Sequence, residues 1–159
     1  MNSFFPDAIR SWNNVTYFSN VPSIYTLKGH IKSLICPNAK SIFDIHDPLG
    51  LRYLFQLRVG LSPLRSHKKH HNFIDIPSDI CLCDCDIEDT NHFLFSCSFY
   101  TIPRETLVTS VNETLHKYNL NHLVNHAQLY LYGHSDISDA DNRNIILATI
   151  KYIKETRRF

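Results

Sequence analysis

With 159 residues and a net charge of +1, the chain fits a single domain and carries no overall charge that would select its partners. Hydrophobic residues make up 43% and charged residues 19%, which argues against a disordered chain or a coiled coil. Because its four glycines are too few for a sheet-rich sandwich, the composition predicts a mostly α-helical fold.

The first 45 residues are predicted to form an N-terminal helical segment. Residues 22–35 place apolar side chains at helical spacing, and Pro37 follows as a helix breaker. The start of the chain lacks the basic-then-apolar order of a secretory signal, and no apolar run approaches the roughly 18 residues of a membrane span. We therefore expect an intracellular protein, in the nucleus or cytoplasm, without a membrane partner.

Residues 46–75 are predicted to form a basic helix-turn-helix corner. One helix begins at Pro48 and stops at Gly60, and a short second helix has Ser62 as its N-cap and Pro63 at its first position. Residues 52–71 carry five Lys or Arg and three His but no acid. Lys and Arg neutralise backbone phosphates, so this corner predicts a surface for nucleic acid.

Residues 76–102 are predicted to form a zinc knuckle inserted in the helical domain. Four of the five cysteines in the chain fall within 17 residues, together with one histidine: Cys81, Cys83, Cys85, His92 and Cys97. Structural zinc takes four thiolate or imidazole ligands, supplied as two local pairs. His92 and Cys97 are the second pair, since four intervening residues let a short helix place both on one side.

The spacing of the cysteines alone does not decide which two of them form the first pair of zinc ligands. Cys81 with Cys85 has the usual two to four intervening residues, whereas Cys81 with Cys83 is a tighter alternative. Buried free thiols around a core histidine, or a Cys–His nucleophile pair, would be other interpretations. So many thiols in one short segment favour a metal.

The last segment, residues 103–159, is predicted to contain the C-terminal helices. A helix opens at Pro103 and ends near Asn119, and residues 123–132 fit either a helix or a short strand. Ser138 and Asp141 then form a capping-box pattern at the start of the final helix.

An ordered series of short motifs resembles the carboxy-terminal region of non-long-terminal-repeat retrotransposon reverse transcriptases. The series is QLRVGLSPL at 56–64, HHNF at 70–73, CLC at 81–83, EDTNHFL at 88–94 and Cys97, and residues 150–159 look like the end of such a polyprotein. The resemblance implies Cys81, Cys83, His92 and Cys97 as the zinc ligands. Asp84 and Cys85 depart from it, because a glycine and a polar residue are more familiar there, and Cys85 becomes an extra thiol.

In that family this region is a non-catalytic appendage that helps a reverse transcriptase hold template RNA and target DNA. The chain contains no adjacent Asp pair for a polymerase metal site, so we expect no enzymatic activity. The expected partners are RNA or single-stranded DNA, bound with low sequence specificity, and the rest of a reverse transcriptase.

The candidate nucleic-acid-binding residues come from the basic corner and from one position beyond the knuckle: Arg52, Arg58, Arg65, Lys68, Lys69, His70, His71 and Arg104. Arg157 and Arg158 are further candidates, and Tyr53, Phe73 and Tyr100 could stack on unpaired bases. A charge run can equally be a solvated helix face. The alternative function is a protein interaction module with structural zinc, in which the acidic residues 84–89 contact a basic partner.

Overall fold

The structure, a computed structural model, describes residue 42 and residues 45–159. The helix predicted over residues 22–35, and Cys36, lie outside the described residues. The described part is mostly helical, as the composition predicts, and its pairing of strands is limited to one isolated antiparallel bridge between Ile80 and Ile87. Its α-helices are α1 (Pro48–Arg58), α2 (Arg65–His70), α3 (Thr101–Tyr118), α4 (Ala127–Tyr132) and α5 (Asp139–Thr156).

The ends of α1 follow local sequence signals. Asp47 caps the helix by accepting a hydrogen bond from the backbone N–H of Gly50 at 2.9 Å, and Pro48 occupies the first helical position. The helix ends at Arg58, two residues before the predicted stop, and Gly60 then adopts a left-handed φ of +70°.

The predicted start of α2 at Ser62 is wrong. The helix begins at Arg65 after Leu64, which provides no side-chain cap. The buried Ser62 hydroxyl accepts a long hydrogen bond from the N–H of Leu64 at 3.4 Å and also lies 2.7 Å from Nδ1 of His67. The predicted cap bond is therefore present, but residues 62–64 do not join the helix.

The C-terminal helices agree more closely with the sequence. Asn119 ends α3 with a left-handed φ of +56°, and the Ser138 hydroxyl accepts a hydrogen bond from the Asp141 N–H at 3.2 Å at the start of α5. The ambiguous residues 123–132 contain no strand: a 3₁₀ turn (Asn121–Leu123) is followed by a turn at residues 124–126 and then by α4.

The core forms around α5, which packs against α1, α3 and α4. Most side chains that sequence periodicity assigns to the core are buried, whereas Phe55 is 43% exposed, with the Arg58 guanidinium 5.1 Å from its ring centre. No helix in residues 45–159 is both long and apolar enough to cross a bilayer. The buried core residues include Leu54, Leu57, Phe93, Leu94, Leu107, Val111, Leu115, Tyr130, Ile146, Ile150, Tyr152 and Ile153.

Candidate metal centre

A tight backbone turn brings the first two cysteines together. The Ile80–Ile87 bridge closes it, and the N–H of Cys81 donates to the carbonyl of Asp86 at 2.8 Å. At its tip Asp84 has a left-handed φ of +58°, a conformation that glycine adopts most easily and Asp tolerates. The short polar side chain of Asp84 therefore allows the tight turn that brings Cys81 and Cys83 together.

A single π-helical turn (His92–Ser96) brings the second pair together. The N–H of Cys97 donates to the carbonyl of His92 at 2.8 Å, and the Asp89 carboxylate accepts from the N–H of His92 at 2.8 Å. An i to i+5 turn places residues five apart above one another, which an α-helical turn would not do. His92 and Cys97, which have four residues between them, are therefore brought to the same side by a π-helical turn, which is uncommon in proteins.

The potential ligand atoms of Cys81, Cys83, His92 and Cys97 all lie within 4.8 Å of one another, so these residues could hold a metal ion. The Sγ atoms of Cys81 and Cys97 are 3.7 Å apart, and Sγ of Cys83 is 3.2 Å from Nε2 of His92. A tetrahedron with Zn–S bonds of about 2.3 Å and a Zn–N bond of about 2.0 Å has edges of roughly 3.5 to 3.8 Å. The Cys81–Cys97 and Cys83–His92 separations are close to those edges, and the other pairs lie within 4.8 Å.

Cys85 lies apart from this cluster. It is exposed, and its Sγ donates to the carbonyl of Cys83 at 3.3 Å. The structure thus groups the ligands that the resemblance implies and leaves Cys85 outside them.

The three thiols of the cluster differ in pKa because their surroundings differ. Burial raises the pKa of Cys81 to about 12 and also raises the pKa of Cys97. The backbone N–H of Cys85 lowers the pKa of Cys83 to about 6. Because burial disfavours thiolates, a bound cation would release protons from the two buried thiols and compensate their charge.

The histidine is also suited to a metal. His92 is buried, its Nε2 faces the Cys83 sulfur, and its Nδ1 has no hydrogen-bond partner among the described residues. Buried polar atoms normally have partners. Three thiols and one imidazole around a common centre, buried except for the half-buried Cys83, fit a soft or borderline cation.

Glu88 connects the knuckle to two other parts of the molecule. Its carboxylate is 2% exposed and receives two hydrogen bonds from the Arg158 guanidinium, at 2.6 and 2.7 Å, and one from the N–H of Arg65 at 2.8 Å. Its carbonyl accepts from the hydroxyl of Ser66 at 2.8 Å. We call Glu88 and Arg158 the Glu88 latch, which joins the knuckle, the start of α2 and the end of the chain.

Several candidate nucleic-acid-binding cations are engaged within the protein. The side chains of Arg58 and Lys69 donate to the carbonyls of Leu131 and Pro77, at 2.8 and 2.9 Å. Arg65 donates to the carbonyl of Ser78 at 3.1 Å. Arg104 donates to the carbonyl of Cys97, next to the cluster.

The remaining candidates lie on the outside of the corner. Arg52, Lys68 and His71 line one cleft, and His70 is exposed beside His71, with their ring centres 5.2 Å apart. The latch was missed by sequence reasoning, which grouped Glu88 with the acidic loop and Arg158 with the cations. The two residues are 70 positions apart, and no local pattern pairs them.

Comparisons with protein-family models, curated proteins and solved structures give no match to this chain.

Proposed function

We propose that the chain is a non-catalytic module that binds single-stranded RNA or DNA, with a structural zinc ion at the Cys81, Cys83, His92 and Cys97 cluster. The resemblance to the carboxy-terminal region of retroelement reverse transcriptases supports the same function. Its natural setting is then beside the polymerase part of such an enzyme.

Zinc is the metal that the ligand chemistry favours. Three thiolates with one imidazole form a common structural zinc set, whereas magnesium and calcium prefer oxygen ligands. With four protein ligands a tetrahedral ion has no open position for water, so the site suits a structural role. Zinc binding would contribute on the order of 10 kcal/mol toward folding the knuckle.

One observation carries the nucleic-acid part of the proposal: the Glu88 latch fastens the metal cluster's own loop to a helix that bears only basic charge. The sequence of α2 is RSHKKH, without an acid. Its first backbone N–H groups are bonded to Glu88. A metal ion would thus stabilise the surface that presents these cations to phosphates.

The test is the affinity for a fluorescein-labelled single-stranded RNA, measured by anisotropy at several salt concentrations, before and after zinc removal. We expect log K to fall linearly with log salt, by about 0.7 per phosphate contact, and to decrease when zinc is chelated. An affinity that does not change with salt concentration, or that is the same before and after zinc removal, would refute the proposal.

A matched pair of variants locates the contact. Lys68→Gln removes one cation from α2, and Lys151→Gln removes one from the exposed face of α5. We expect only Lys68→Gln to weaken binding and to reduce the salt slope by about 0.7. Equal effects would indicate attraction by net charge alone.

A protein interaction module is the second candidate, and one observation favours it. Three apolar side chains of the knuckle are exposed: Ile80 by 41%, Leu82 by 65% and Ile87 by 42%. Apolar residues grouped on one exposed loop can mark a protein contact. One bound zinc without salt-dependent RNA binding would support this candidate instead.

A further inference from the structure

A cleft of about 370 Å³ opens on the outside of the basic corner, which is within the size range of ligand sites, about 300 to 1,000 Å³. Its walls come from α1, the linker to α2, α2 itself and two separate aromatic residues. The side chains that matter for its chemistry are Arg52, Tyr53, Lys68, His71, Phe73 and Phe159.

The charge of this cleft is uniformly basic. None of the described residues that line it is acidic. The side chains of Arg52 and Lys68 form no hydrogen bond or ion pair with the described residues, unlike the side chains of Arg65 and Lys69, which donate to carbonyls. Two unengaged cations on two different helices therefore face one opening and suit an anionic group.

His71 and His67 shape the wall between these cations. The Nε2 atom of His71 donates to the carbonyl of Gly60 at 3.2 Å. His67 is held by the Ser62 hydroxyl, and burial lowers its pKa. Burial therefore favours the neutral form of His67, which leaves Arg52 and Lys68 as the permanent charges of the cleft.

Aromatic rings provide the other half of the lining. Tyr53 and Phe159 are in contact, with ring centres 5.3 Å apart, and Phe159 packs in turn on the buried Phe93 at 5.7 Å. This wall is fixed by the core. Phe73 is 53% exposed and offers a free ring at the opening.

From this combination we propose that the cleft holds one unpaired nucleotide of a single-stranded RNA or DNA. The base stacks against Phe73 and the Tyr53 wall, and Arg52 and Lys68 receive the adjoining phosphate. Aromatic faces beside unpaired cations are the usual means of holding a single strand without reading its sequence. This inference rests on the proposed function and names the site at which it acts.

The same arrangement connects the cleft to the metal cluster. Lys68 belongs to α2, whose start is bonded to Glu88, and Phe159 follows Arg158, the other half of the Glu88 latch. Two walls of the cleft are therefore held by one buried carboxylate on the knuckle. Loss of zinc would disturb stacking as well as charge.

The experiment compares Phe73→Ala with the neighbouring control Ile74→Ala, using a fluorescein-labelled ten-nucleotide oligouridine. Ile74 is fully exposed and does not line the cleft. We expect Phe73→Ala to raise Kd by about 5- to 150-fold, the range for losing one base stack, without changing the salt slope. Ile74→Ala should bind as the parent does.

Two further variants, Arg52→Gln and Phe73→Leu, separate the contribution of stacking from that of charge. Arg52→Gln should reduce the salt slope by about 0.7, in contrast to Phe73→Ala. Phe73→Leu keeps the apolar bulk but not the ring, so it should bind as weakly as Phe73→Ala. Zinc content and circular dichroism of each variant check that it is folded.

The possible failures are distinguishable. If the parent binds with salt dependence but Phe73→Ala matches the parent, the cleft is wrong and the proposed function stands. The cleft is equally wrong if Ile74→Ala and Phe73→Ala lose the same affinity. If the folded parent does not bind the oligonucleotide at all, the proposed function fails and the cleft fails with it.

Discussion

At the scale of single residues, Cys83 and Cys85 have separate roles. Cys83 faces His92, whereas Cys85 is exposed and directed at a backbone carbonyl. We predict that Cys83→Ser weakens zinc binding more than about a hundredfold, beyond the effect of typical outer-shell changes. Cys85→Ser should leave the affinity nearly unchanged. Competition with a chromophoric chelator measures both, and the opposite ranking would assign Cys85 as the ligand.

Gly50 is a second informative residue, because it lies inside α1. In a helix interior, Gly→Ala usually stabilises a protein by about 0.5 to 1 kcal/mol. Here a Cβ at position 50 would overlap Cγ2 of Ile150 on α5 and would also crowd the Asp47 carboxylate that caps α1. We therefore predict that Gly50→Ala lowers the free energy of unfolding by about 1 to 3 kcal/mol.

Urea unfolding checks this prediction, and a double variant is its control. Ile150→Ala removes the overlapping methyl group, so the combined variant should lose less stability than the sum of the two single changes. Additive losses would mean that α1 and α5 approach less closely than the structure indicates.

At the scale of elements, the Glu88 latch connects three parts that are far apart along the chain: the knuckle, the start of α2 and the C-terminal residues. We predict that Glu88→Gln destabilises the zinc-loaded protein by about 3 kcal/mol, because it leaves the Arg158 guanidinium without its counter-charge in a largely buried site. Asp86→Asn is the control on the same loop, since Asp86 is exposed. It should change the stability by less than about 0.5 kcal/mol. Similar urea midpoints for both variants would contradict the latch.

The contact between α3 and α5 makes the stability of the fold depend on pH. The Asp141 carboxylate accepts hydrogen bonds from Lys117 at 2.6 Å, Tyr118 at 2.6 Å and Ser138 at 3.0 Å. Lys117 is the main cause that lowers the pKa of Asp141 from 3.8 to about 2. A lowered folded-state pKa stabilises the fold above about pH 4, and this contribution disappears as the pH falls through about 2.

We therefore expect the parent to be more stable than Asp141→Asn at pH 5 and the difference to vanish near pH 2. Comparing the two proteins cancels the loss of metal that acid also causes. Asp136→Asn, at an exposed aspartate before α5, should follow the parent throughout. A difference that persists at pH 2 would mean that Asp141 acts by its shape and not by its charge.

At the scale of the whole molecule, local signals predicted most of the fold. Asn119 and the Ser138–Asp141 cap marked helix ends correctly, because each acts on the backbone beside it. Ser62 carries an N-cap signal and its hydroxyl accepts from the N–H of Leu64, but it also contacts His67, and the helix begins only at Arg65. Phe55 fits the apolar period of α1 but lies at the exposed edge, against Arg58.

The candidate metal site was predictable in part. Spacing narrowed the ligands to three cysteines, His92 and Cys97, but it left Cys83 and Cys85 open. The choice depends on the left-handed backbone of Asp84 at the tip of the turn, which spacing does not encode. The pairing of Glu88 with Arg158 could not be predicted from the sequence, because a buried ion pair between distant positions leaves no local sequence pattern.

The metal content of the purified protein shows whether Cys81, Cys83, His92 and Cys97 form one zinc site. Mass spectrometric metal analysis should find one zinc per chain in the parent and in Cys85→Ser, and almost none in Cys97→Ser. The Cys97 thiol is buried against Cys81, 3.7 Å away, so serine cannot replace it as a soft ligand. A parent protein that contains no zinc, or a Cys97→Ser variant that retains as much zinc as the parent, would mean that these four residues are not a zinc site.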